Sequence, residues 1–186
     1  MIALTLADIA SVMHGQLHLG GSGANPDTVV TGLTDTDSRM IKPGDIFVAK
    51  PGEVTDGHLF VPQAVEGGAA VVIVDHLVET PVPQILVGDT VVAMGLLATE
   101  VVARVRALGN LTVVGITGSN GKTTTKEMLA AILAANGAGL KTSGNLNNLV
   151  GLPQMVFQLQ AEHKWAVFEM GMSEFGEIDR LAEIVA

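Results

Sequence analysis

Apolar residues recur along this chain in two rhythms, one of period near 3.6 and one of short unbroken runs. Near the start, Leu6, Ile9, Ala10 and Met13 share a helical face, Thr5 and Asp8 are spaced like a capping box, and Gly15 is able to end the turn. A Gly/Ser/Asn/Pro loop follows at 20–27, then the strand-like "VVTGLTDTDSR", the turn "KPGD" and the apolar strand "IFVA" (46–49). "FVPQAVEGGAAVVIVD" reads as a helix, a Gly-Gly break and a buried strand at 70–74, and "TPVPQILVGD" as a Pro-rich joint and another strand. A long helix is predicted over Thr90–Leu108, a strand at "LTVVGI", an Ala-rich helix over Lys122–Ala135 and a Gly/Asn loop at 143–148. A helix to about residue 159, the strand "WAVFEMG" and a helix from Glu177 complete the reading.

Strands alternating with helices imply parallel βαβ units. The pattern divides into a small α/β unit over 1–83 and a second unit over 84–186, the first part of a P-loop, Rossmann-like parallel-sheet domain. The second unit offers about three parallel strands. Its final helix carries Leu181, Ile184 and Val185 with no stop signal, so the chain is expected to be the front part of a longer protein.

Composition narrows the chemistry. The 186 residues are 48% hydrophobic and 16% charged, with mean hydropathy +0.45, enough for a packed core. A formal charge of −9 and only five Phe, one Trp and no Tyr argue against nucleic-acid binding, which needs basic faces or stacking platforms. With no cysteine there are neither disulfides nor thiolate metal sites. "MIALTLADIA" lacks the basic flank of a leader, and Asp89 and Glu100 interrupt the greasiest region (85–103). A soluble cytoplasmic protein with no membrane span is expected.

"GITGSNGKTTTKEM" (115–128) carries the sharpest signal. The usual phosphate loop has Gly, four free residues, then Gly-Lys-Ser/Thr, which would require Gly where Ile116 stands. The physics survives that mismatch. A strand ends, Gly118 and Gly121 permit a tight turn, and a helix starts at Lys122 with its N-terminus toward the anion. Gly118, Ser119, Asn120, Gly121, Lys122, Thr123 and Thr124 are therefore the candidate nucleotide-binding residues. Lys122 is the natural phosphate partner and Thr123 the hydroxyl for Mg²⁺. The bland alternative is a strand-to-helix turn whose polar residues cap the helix.

Three other stretches remain open on the residues alone. Asn145, Asn147 and Asn148 in "KTSGNLNNLVGLP" either read polar substrate groups or cap the next helix through Asx turns. Glu169, at a strand end before Gly171, either holds a metal ion at the carboxyl edge of a parallel sheet or stands in water. Ser38 and Arg39 offer a hydroxyl and a guanidinium fork to phosphate, or Arg39 makes a surface salt bridge. His58, after Asp56-Gly57, serves a ligand or starts a helix. Glu177 reads as a first-turn helix acid, His14, His18, His76 and His163 as surface residues, and the eight Met as core filler.

Taken in order, these blocks resemble the Mur ligase family over nearly the whole chain. "TGSNGKTTTKEML" is similar to that family's shortened loop, Thr-Gly-x-x-Gly-Lys-Thr. "GNLNN" is similar to its Gly-Asn-x-Asn-Asn loop, and Glu169-Met170-Gly171 to its Glu-Leu/Met-Gly. The run 34–75 resembles the N-terminal domain of the MurE and MurF branches through Asp-Ser-Arg, Pro-Gly-Asp-x-Phe-Val-Ala and Asp-Gly-His-x-Phe. The MurF type, which adds D-alanyl-D-alanine to UDP-MurNAc-tripeptide, is the better match.

That resemblance implies an ATP- and Mg²⁺-dependent, cytoplasmic, monomeric ligase of cell-wall precursor synthesis that makes an amide through an acyl phosphate. It implies Lys122 and Asn145 as catalytic residues and Thr123 and Glu169 as metal ligands. Ser38, Arg39, His58, Asn145 and Asn148 would bind the UDP-MurNAc-peptide. Ser173-Glu174 stands where the family pattern has Asn-His, so that histidine's role does not carry over. The fragment is expected to be inactive alone, since the later catalytic parts lie outside it. The alternatives are a MurE-type ligase adding a single amino acid and a truncated UDP-binding module without catalysis.

Overall fold

The computed structural model describes residues 1–52 and 55–186. By their contacts these form two compact units, with the division after Leu97.

The first unit opens with β1 (Leu4–Thr5) and α1 (Leu6–Val12). The Thr5 side chain accepts the Asp8 N–H at 3.0 Å, the cap the sequence predicts, and Leu6, Ile9, Ala10 and Met13 are all buried. The turn that ends α1 uses His14 at φ 51° rather than Gly15. Strands β2 (Gln16–His18), β3 (Val29–Val30) and β4 (Thr34–Asp35) precede β5 (Ile46–Val48). A 3₁₀ turn (Gly57–Phe60) runs into α2 (Val61–Glu66), with Pro62 in the first turn, followed by β6 (Val71–Val74) and β7 (Gln84–Leu86).

β1 pairs antiparallel with β3. The main sheet has the order β2-β7-β6-β5-β4, parallel except for β2 at one edge. "IFV" and "VVIV" are unbroken apolar runs because both faces of the inner parallel strands are covered; every residue of β5 and β6 is buried. Phe47, Ala49, Val72 and Val74 pack with Val61 and Ala64 of α2 into the core on one side.

β7 moves the expected boundary at 83/84. Gln84–Leu86 hydrogen-bonds between β6 and β2, so this strand completes the first sheet rather than opening the second. The division falls instead within α3 (Thr90–Leu108), whose bounds match the sequence expectation.

The second unit contains β8 (Thr112–Ile116), α4 (Lys122–Leu133), β9 (Gly139–Lys141), α5 (Gly151–Val156), β10 (Trp165–Glu169) and α6 (Glu177–Val185). Its strands are parallel in the order β8-β10-β9, with β10 buried throughout. The three parallel strands are thus β8, β9 and β10, the place expected for residues 84–86 being taken by β9. "GLK" carries too short an apolar run to be read as a strand. Its glycine is required: a Cβ on Gly139 would lie 2.1 Å from the Trp165 ring. Leu181, Ile184 and Val185 of α6 are buried, and Arg106 donates to the carbonyls of Val185 and Ala186 at the helix end.

Candidate active site

The β8–β10 register builds the central feature. Ile116 pairs with Glu169, so the loop that begins at Thr117 leaves the sheet beside the last residue of β10. Glu169 is nevertheless fixed from several sides. Its N–H donates to Thr142 Oγ1 at 2.8 Å, Oε2 accepts the Thr123 hydroxyl at 3.0 Å, and Oε1 accepts the Asn147 amide at 3.2 Å. Lys126 Nζ, one turn further along α4, lies 3.7 Å from Oε2. The Glu169 carboxylate is 6% exposed and the Lys126 side chain 3%. A buried carboxylate is tolerated only when paired and hydrogen-bonded, and this one is.

Across the loop, Gly118 (φ 144°) and Gly121 (φ 77°) adopt left-handed backbone that disfavours side chains, and a Cβ on Gly121 would meet nothing within 4 Å. Gly121 caps α4 without a side-chain hydrogen bond, and residues 117–121 are exposed. The first N–H groups of a twelve-residue helix are therefore presented on an open surface, where the helix dipole favours an anion. The Lys122 ammonium donates to the Gly118 carbonyl at 2.7 Å, folded over the loop it would share with a phosphate.

The donor set fits Mg²⁺. Octahedral Mg²⁺–O bonds of about 2.0–2.1 Å place neighbouring ligands roughly 2.9 Å apart. Thr123 Oγ1 and Glu169 Oε2 stand 3.0 Å apart, so a single ion can take both oxygens with little movement of either.

The asparagine loop divides. The Asn148 side chain accepts the N–H groups of Val150 (3.1 Å) and Gly151 (2.8 Å), so its Oδ1 makes the Asx turn that leads into α5. Asn145 is exposed, its carbonyl accepting the Asn147 N–H at 2.8 Å. Asn147, one of the three amides expected to read substrate groups or cap a helix, bridges Glu169 and the Gly171 N–H. Sequence pattern assigns no role to Thr142 or Lys126. An apolar-period reading of α4 had one available signal, a lysine four residues after Lys122 on the face that turns inward.

Beyond that loop, Glu177 Oε2 accepts the N–H groups of Ser173 (2.6 Å) and Glu174 (3.1 Å). These hydrogen bonds hold its carboxyl below its ordinary value. Its helix-start role is therefore local capping.

In the first unit, Asp37, Ser38, Arg39, Phe60 and Gln63 line an open cavity of about 280 Å³. Ser38 donates to Gln63 Oε1 at 2.7 Å. The Arg39 fork closes on Asp37, Nε to Oδ1 at 2.9 Å and Nη2 to Oδ2 at 2.7 Å, the salt bridge left open above. That bond to Arg39 holds the Asp37 carboxyl below its ordinary value, and the pair raises Arg39.

His58 does not line this cavity. It is buried, its Nδ1 2.6 Å from Asp56 Oδ1, and its Nε2 accepts the Asp75 N–H at 3.2 Å. Both ring nitrogens thus fasten the 56–60 turn to the end of β6. His76, expected as an isolated surface residue, stacks on His58 with centroids 3.9 Å apart and planes 26° apart. Asp56, His58 and His76 bring potential ligand atoms within 4.8 Å of one another. Stacked rings cannot both point their lone pairs at one ion, so this cluster is scaffold.

No helix among the described residues is long and apolar enough to cross a membrane. The chain is similar to the UDP-N-acetylmuramoyl-tripeptide–D-alanyl-D-alanine ligase of Escherichia coli, 42% identical over 178 residues that cover 96% of this chain and 37% of that protein. It superposes on MurF of Acinetobacter baumannii with TM-score 0.87 at 39% identity, over 98% of this chain and 39% of that one. A MurF ligase of Thermotoga maritima, solved in complex with ADP, matches with TM-score 0.74 at 35% identity, over 83% and 35% of the two chains. The chain spans 37–40% of the length of the curated relatives it matches. The model of the Mur ligase middle domain matches residues 116–186. Because the model of the Mur ligase family catalytic domain independently matches residues 31–137, more than half of the sequence, this chain belongs to the Mur ligase family.

Proposed function

We propose that this chain contributes the nucleotide-substrate unit and the ATP-binding elements of a ligase that joins D-alanyl-D-alanine to UDP-MurNAc-tripeptide. The observation that carries the reading is the 3.0 Å contact between Thr123 and buried Glu169 at the head of the Gly-Lys-Thr loop. It brings a hydroxyl and a carboxylate to the place where a triphosphate's cation is needed. Similarity to ligases of that name supplies the substrate pair.

Mg²⁺, held by Thr123 and Glu169, would neutralise phosphate charge. The chain's own groups do the rest by positioning. Lys122 exchanges the Gly118 carbonyl for a phosphate oxygen, and the N–H groups at the start of α4 bind the neighbouring oxygens. An oxygen of the peptide carboxylate attacks the γ-phosphorus and ADP leaves. The amine of D-alanyl-D-alanine then attacks the acyl carbon, losing a proton and expelling phosphate. Asn145, exposed on the loop after β9, would orient the carboxylate, a role that rests on the likeness of its loop to the family's Gly-Asn-x-Asn-Asn.

In the first unit, Ser38 and Arg39 take the uridine diphosphate, Arg39 trading Asp37 for phosphate. His58 and Asn148 support the backbone around these groups. Calorimetric titration of the 186-residue chain with UDP and with Mg-ATP tests the reading, which expects two independent saturable events. UDP binding without Mg-ATP binding would reduce the chain to a substrate-binding module, and binding of neither would refute the assignment.

A further inference from the structure

We propose that Lys126 is a positioning residue of the phosphate site, its ammonium holding the Glu169 carboxylate in the orientation that sets Oε2 against Thr123. The inference rests on the nucleotide reading above and concerns a residue to which no role has been attached.

A lysine 3% exposed inside a protein has to be justified by what it meets. Lys126 Nζ lies 3.7 Å from Glu169 Oε2 and 3.5 Å from Glu127 Oε1, and Glu127 in turn pairs with Lys141. The result is a row of alternating charge, Glu169–Lys126–Glu127–Lys141, that starts at the buried carboxylate and ends at a half-exposed lysine on β9.

Helix geometry explains the placement. Lys126 is four residues after Lys122 and three after Thr123, so α4 offers three functional side chains within its first five residues. Lys122 bends to the loop, whereas Thr123 and Lys126 meet the same oxygen of Glu169.

Glu169 Oε2 is thus flanked by a hydroxyl donor and an ammonium, and Oε1 by the Asn147 amide. A carboxylate so surrounded has one orientation. Without the ammonium it would be a buried charge with only neutral donors, and turning toward water would relieve it.

Removing Lys126 has two opposed consequences for a cation at Thr123 and Glu169. A like charge leaves the neighbourhood, which favours the cation. The carboxylate also loses its fixed direction, which disfavours it. Groups that orient metal ligands typically change metal affinity about 10–100-fold when removed, so orientation is expected to win.

The test compares ADP affinity by calorimetry in Mg²⁺ and in excess chelator, for the unaltered chain and for Lys126→Met. The readout is the ratio of the two affinities. Lys126→Met is expected to lower that ratio about tenfold and to leave the chelator affinity unchanged. If Lys126 only stabilises the fold, melting temperature drops and the ratio stays, which overturns the proposal. A ratio that rises overturns it too, because charge repulsion would then outweigh orientation. Should Lys126→Met fail to fold, Lys126→Gln keeps a donor of similar reach and is expected to lower the ratio roughly threefold or more; an unchanged ratio there is equally fatal. If the unaltered chain binds ADP under neither condition, the nucleotide reading fails first and takes this one with it.

Discussion

Arg39 and Lys126 are both cations beside a carboxylate at a candidate phosphate site, and they differ in nearly everything else. Arg39 pairs with Asp37, two residues away, with 77% of its side chain exposed. Lys126 meets Glu169 across the fold, 3% exposed. The first is a local pair, which the chain makes wherever it folds a turn. The second exists only because β8 and β10 pair in a register that brings Glu169 level with Ile116. Exposed local pairs contribute little to stability, leaving Arg39 at little cost to change partners. Buried long-range pairs are expensive to break, which suits a group that must not move.

Breaking the buried member should have the largest effect. Glu169→Ala leaves the Lys126 ammonium unpaired in the interior and is expected to cost about 3–5 kcal/mol of unfolding free energy in urea titrations. If it cost no more than Asp37→Ala, the contrast between the two sites would collapse. Next comes Lys122→Ala, which removes a charge-assisted contact worth about 1.5–3 kcal/mol and should weaken Mg-ATP binding about 10- to 150-fold. UDP affinity is expected to stay unchanged, and loss of both together would rule out two separate sites.

Arg39→Ala sharpens the comparison from the other side. Calorimetry should show UDP binding about tenfold weaker, with the thermal midpoint lowered only slightly. A drop as large as that of Glu169→Ala would mean that the exposed pair is structural after all.

The smallest effect is in pH. The Arg39 hydrogen bond holds the Asp37 carboxyl below its ordinary 3.8. A group whose folded value is depressed stabilises above its unfolded value and loses that contribution as pH falls through the folded one. Melting temperatures of the unaltered chain and Asp37→Asn should therefore differ slightly above pH 3.8 and converge in stronger acid.

What could be read without coordinates follows the same division. Thr5 with Asp8, the bounds of α3, the buried runs "IFV" and "VVIV" and the Gly118–Thr123 turn are set by neighbours in sequence, and the structure has them where the pattern puts them. Arg39, His58 and Asn148 each make the local contact that the sequence offers as one alternative: a salt bridge, a turn anchor and a helix cap. Lys126 and Thr142, and the contact of Asn147 with Glu169, are not legible in the sequence because they depend on which strand lies beside which. The three residues of β9 are of mixed polarity and carry no period, and the Pro-rich joint before β7 looks like a linker although β7 pairs into the first sheet.

The middle place of β10 bears on how this unit is made. Among the described residues β8 and β9 each pair with β10, the last strand of the three to be synthesised. Between Ile116 and Glu169 a ribosome must add 53 further residues, which takes roughly 3–10 s at ordinary elongation rates. Throughout that interval the Gly-Lys-Thr segment lacks the strand whose Glu169 meets Thr123, so this loop reaches the contacts described here only after residue 169 has been made.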